Sequence, residues 1–174
     1  MSEDRRENAV DALLDEIETS WRALWQDLEP LTDEELTGPT DAAGWRAQDH
    51  LAHLGAWERG VIFMLHGHPF RAGLGIDESL WVEGDIDAVN AAIFDLNRER
   101  ALEDVRTGLR ATHTELVAEV GTLDGERLDT RIAPGDSGDP SAPPTLREKI
   151  IGNTAEHYPE HAEWILALVK AGRE

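Results

Sequence analysis

Residues 145–171 read TLREKIIGNTAEHYPEHAEWILALVKA. Leu146, Ile150, Ile165 and Leu168 recur at helical spacing and form the apolar stripe of one long amphipathic helix. Thr145 with Glu148 three residues later, directly after Pro143 and Pro144, is a helix start signal. The middle of the stripe holds Asn153, His157 and His161 where leucines are expected. Positions four apart lie one above the other on a helix face, so both imidazoles are expected to point inward. Leaving them there without partners costs about 1–3 kcal/mol each. Neutral imidazole is the commonest metal ligand, and a shared cation would satisfy both rings if another helix completes the set. A hydrogen-bonded polar network is the alternative. Pro159, between the two histidines, is expected to kink the helix and free the carbonyl of Ala155.

Working outward, residues 7–29 carry Val10, Leu13, Leu14, Ile17, Trp21, Leu24 and Leu28 on one stripe, ended by Pro30. Thr32 to Glu35 forms a capping box for a short turn of helix. A second long helix is predicted over residues 45–66, with Leu51, Leu54, Trp57, Val61 and Leu65 on its stripe. The glycines Gly73, Gly75 and Gly84 mark a long crossover, with a helical turn over residues 79–82. The third helix is bent or divided. Ile86, Val89, Ile93 and Leu96 make its first stripe; Leu102, Val105, Leu109, Leu116 and Val120 make its second, with Gly121 as C-cap. Residues 124–144 are rich in Gly, Pro and Asp and are expected to be a mobile loop. Four amphipathic segments without a convincing strand predict an all-α four-helix bundle with a long crossover after helix two. It is read as a single domain over residues 1–174, with residues 1–6 as a disordered tail.

Composition narrows the function. The net charge of −20, with no local cluster of Lys and Arg, argues against nucleic-acid binding. No apolar run is long enough to span a membrane and the N-terminus has no signal-peptide character, so a cytoplasmic protein is expected. Without cysteine there is no disulfide, thiolate metal site or cysteine nucleophile. Any metal must be held by His, Asp or Glu.

Seven histidines are available. Helix two offers His50 and His53. Asp49, one turn before His53, is placed to orient it. His66 and His68 flank a helix-ending glycine and read as exposed; His113 reads as a packed or boundary residue.

The stretch Gly44-Trp45-Arg46-Ala47-Gln48-Asp49-His50-Leu51-Ala52-His53 resembles the DinB-like pattern, in which a tryptophan opens helix two and a ligand histidine follows two turns on. Glu156-His157-Tyr158-Pro159-Glu160-His161, followed by Trp164, resembles the family's final-helix pair. Residues 90–105, with Asn97-Arg98-Glu99-Arg100, look most like the subgroup that includes the colibactin self-resistance protein. The resemblance runs from helix one to Ile165. It implies that His53, and not His50, joins His157 and His161 around a divalent metal, zinc or nickel, with His50 pointing away. Asp49 and Asn153 are then the expected outer partners of the ligands. Three neutral ligands leave coordination positions open, as in catalytic sites. The activities implied are hydrolysis of a small electrophilic metabolite or toxin, or transfer of a low-molecular-weight thiol to one, and a homodimer is left open. A metal-free hydrolase and a small-molecule-binding stress protein without catalysis are the competing readings.

Overall fold

The computed structural model describes residues 3–82, 85–137 and 141–174, with side chains from residue 9 onward except at 78 and 82. Residues 1 and 2 of the expected tail, Gly84 of the crossover, and Gly138, Asp139 and Pro140 of the loop lie outside the described residues. Helix α1 spans Glu3–Leu28 and α2 the turn Asp33–Thr37, whose Thr32 and Glu35 close the predicted capping box. Helix α3 is Ala47–Leu65, followed by short α4, Phe70–Leu74, and α5, Glu78–Val82. The bent third helix is α6, Ile86–Asn97, and α7, Leu102–Gly121. After α8, Gly125–Leu128, and a 3-10 turn at Pro134–Asp136 come α9, Leu146–Gly152, and α10, His157–Gly172. Among the described residues there is no strand, only one bridge between Arg131 and Thr145. No described helix is long and apolar enough to cross a membrane.

The centre of the bundle is α3, which packs on α7, α4, α6 and α10 and is buried on nearly every face. Its start is fixed without a capping Ser or Thr. The Asp49 carboxylate accepts the backbone N–H of Arg46 at 2.8 Å, three residues back, while the Arg46 guanidinium grips both its oxygens at 2.9 Å. Arg46 and Gln48 then donate to the carbonyls of Arg98 and Arg100, tying the joint between α6 and α7 to the head of α3. The crossover packs more closely than a loop. A Cβ on Gly73 would collide with the Arg59 carbonyl and the Gly60 backbone, so α4 lies against α3 glycine to glycine.

The last helix is broken, and not where its proline predicts. Residues 153–156 form a turn between α9 and α10. Asn153 donates to the Lys149 carbonyl at 2.6 Å and Thr154 to that of Ile150 at 2.7 Å, the side-chain-to-backbone bonding that competes with helix continuation. Pro159 consequently falls in the first turn of α10, where a missing N–H costs little. The Ala155 carbonyl that Pro159 leaves free is taken by the Ser20 hydroxyl of α1 at 2.7 Å.

Candidate metal centre

His53 sits in the middle of α3, while His157 and His161 occupy the first and fifth positions of α10. The break before α10 lets this helix take its own direction, and its i, i+4 pair meets His53. The Nε2 atoms converge: His53 to His157 is 3.3 Å and His161 to His157 is 3.1 Å. These are the three residues whose ligand atoms all lie within 4.8 Å of one another. His53 and His161 are buried and His157 is half-buried.

Burial holds all three rings neutral. It lowers His157 to about 4. It also pushes His53 and His161 well down, with the neighbouring imidazoles adding to the effect. Three neutral rings that turn Nε2 toward one point cannot all be satisfied by one another, because a proton on any of them leaves the other lone pairs facing inward. The Nδ1 atoms of His53 and His157 have no hydrogen-bond partner. A single cation at the common point satisfies all three lone pairs, and nitrogen donors of this kind suit borderline divalent metals. The residues fit a metal.

The surroundings correct three expectations. His50 does not point away: its Nδ1 lies 3.0 Å from Nδ1 of His161, the nitrogen that His161 does not turn toward His157. With His161 offering its Nε2 lone pair inward, its Nδ1–H donates to His50, which fixes the tautomer and the ring plane. Asp49 does not orient His53, since its bonds go to Arg46. Asn153 bonds the Lys149 carbonyl in the turn before α10 and serves the helix break. As expected, His66 and His68 are exposed, and His113 is buried.

A second polar cluster lies behind α10, and only its His113 was anticipated as a packed residue. The Tyr158 hydroxyl donates to Glu58, which is fully buried on α3, and lies 3.2 Å from Nδ1 of His113. His113 stacks on Trp21 with centroids 3.8 Å apart and rings 5° from parallel. Burial raises the Glu58 carboxyl, and it raises the Tyr158 phenol with the Glu58 carboxyl beside it. The cluster pins the residue next to His157 to both α3 and α7.

The histidines floor a cavity of about 910 Å³ that opens between α3, α6 and α10. Trp45 and Phe94 stack along one wall, their centroids 5.4 Å apart, and Trp164 lines the cavity beside His161.

An all-α bundle whose crossing helices bring three histidines together beneath a pocket is a helical protein able to hold a metal ion at its core. The chain belongs to the DinB superfamily, whose family model matches residues 16–165, from within α1 to within α10. No curated protein and no solved structure matches it.

Proposed function

We propose that the protein is a divalent-metal-dependent enzyme that acts on a small electrophile, as a hydrolase or as a thiol-dependent transferase. One observation carries the reading: three neutral imidazoles turn their Nε2 atoms to one point at the floor of an open cavity. A divalent cation held there supplies a Lewis acid that polarises an electrophile and lowers the pKa of a water or thiol beside it. The chain's own residues do the rest. His53, His157 and His161 hold the ion, and His50 keeps His161 in the tautomer that presents Nε2. Trp45, Phe94 and Trp164 make a water-poor wall beside the reacting centre. The resemblance of residues 97–100 to the subgroup with the colibactin self-resistance protein supports the hydrolytic branch.

A specific observation favours the metal-free reading too. The four histidines form a continuous chain of ring nitrogens from His50 through His161 and His157 to His53. Such a chain can relay a proton without an ion. Elemental analysis of protein purified without a His-tag separates the two. The metal reading expects about one divalent ion per chain, lost in His157→Ala and His161→Ala while helical circular dichroism persists. Wild-type protein that takes up no divalent ion in titration, with a protective or hydrolytic activity that survives both replacements, refutes it.

A further inference from the structure

The charges around this cavity point to a substrate class, and we infer that the pocket takes an organic cation: an apolar or aromatic body bearing an ammonium or guanidinium group. The inference rests on the proposed reading of the cavity as a substrate pocket. Its lining contains three carboxylates, Asp41, Asp87 and Asp95, and no lysine or arginine. All three are exposed at the mouth. Asp41 is held in place by the backbone N–H groups of Ala43 and Trp45, which both donate to Oδ1 at 2.8 and 2.9 Å. Asp95 has Arg98 at 3.6 Å, whereas no ion pair to Asp41 or Asp87 occurs among the described residues. Deeper in the wall, the Asn90 Oδ1 is buried without a partner, an acceptor waiting for a donor.

The apolar walls push the same way. Trp45 and Trp164 both line the cavity with aromatic surface, and Trp164 is half exposed. Aromatic faces attract cations, and low-dielectric walls focus the field of carboxylates at a cleft mouth. An anion entering here meets three carboxylates, of which only Asp95 has a cationic neighbour, Arg98, and no lysine or arginine lines the way to the neutral histidines. A ligand with its cationic end at the mouth and its reacting end over His53, His157 and His161 satisfies both ends of the cavity. By the same argument, a thiol co-substrate bearing several carboxylates is disfavoured.

The test uses two probes of matched shape, phenethylammonium and 3-phenylpropionate, titrated into the metal-free full-length protein and followed by tryptophan fluorescence. Phenethylammonium is expected to bind at least about tenfold more tightly at low salt, with the preference shrinking toward parity near 0.5 M salt. The Asp41→Asn/Asp87→Asn double variant, which keeps the Oδ1 acceptor at 41, should lose most of the preference at low salt. The salt titration reads the same property on wild-type protein, so a misfolded variant does not leave the question open. Equal or tighter binding of phenylpropionate, no binding of either probe, or a preference indifferent to salt overturns the inference. Because ion uptake is measured separately, normal metal binding without cation preference sinks this inference alone. Cation preference without metal uptake sinks the metal reading and leaves the pocket's charge class standing.

Discussion

His50 and His53 stand three residues apart on α3, and that offset divides their work. His53 turns Nε2 into the cluster, whereas His50 meets the far nitrogen of His161. Outer partners of this kind orient a ligand and raise its basicity, and their loss typically weakens metal binding 10- to 100-fold. Isothermal titration with zinc should therefore show His50→Ala binding about 10- to 100-fold more weakly than wild type, with stoichiometry retained. His53→Ala should lose the site. Equal affinities in wild type and His50→Ala would show that the contact does not tune the ligand. The inward pair at 157 and 161 is legible from spacing alone, because two polar residues interrupt an apolar stripe. Asp49 misleads for an instructive reason: it shares a face with His53, but Arg46 captures the carboxylate in shorter-range, charge-assisted bonds. Glu58 is illegible for another. Its hydrogen-bond donor, Tyr158, and its neighbour at 3.6 Å, His113, come from α10 and α7, and no pattern on α3 announces them. Glu58→Ala leaves the Tyr158 hydroxyl buried without its acceptor and should destabilise the fold by about 1–3 kcal/mol in urea. Glu58→Gln, which keeps an acceptor, should cost distinctly less.

At the level of elements, the revealing case is the joint between α9 and α10. Read as one helix, residues 145–171 hold a proline in their middle and predict a kink at 159. Read as two, they contain a stop, Gly152-Asn153, and Pro159 sits where proline is tolerated. The stop signal is present in the sequence; the continuous apolar stripe on either side of it obscures it. The bend between α6 and α7 is read more easily, because the stripe itself breaks between Leu96 and Leu102. What the sequence does not disclose is that Arg46 and Gln48 tie that bend to α3. The broken-helix geometry has an energetic consequence. Ser20→Ala removes the donor from the Ala155 carbonyl and should lower stability by about 0.5–1.5 kcal/mol. That is a drop in Tm of roughly 1–6 °C for a chain this size. Pro159→Ala should move Tm much less than the mid-helix value of about 3 kcal/mol predicts. Differential scanning calorimetry showing a large gain from Pro159→Ala would mean that the proline strains α10 after all.

For the whole molecule, apolar stripes on long segments are enough to specify a bundle, since each must bury one face and the described residues hold no sheet to bury it against. They do not specify that the bundle's centre holds three neutral imidazoles, and this makes its stability depend on pH in a direction that can be derived. The unfolded chain protonates His157 near 6.5, whereas the folded, metal-free chain does so only at about 4. Between those values the unfolded state binds more protons, so stability rises with pH across the window. The contribution is complete above about 6.5 and is lost as pH falls toward 4. A shift of this size corresponds to about 3 kcal/mol for His157, on a scale of 1.36 kcal/mol per pKa unit. His53 and His161 are lowered for the same reason and act in the same sense. Glu58 opposes them: its raised carboxyl takes up protons on folding, so its term declines as pH rises above its ordinary value. His50 is lowered by burial as well, and four histidines against one raised carboxyl leave a net loss of stability on acidification. The metal-free protein should therefore melt at progressively lower temperature between pH 6.5 and 4.5, and His157→Leu should flatten the slope. Added zinc competes with protons for the same nitrogens, so its gain in Tm should be largest near pH 7 and fade through the same window. A metal-free Tm that stays level or climbs on acidification, with a zinc increment indifferent to pH, would show that these rings are not neutral, inward-facing groups able to hold a metal ion.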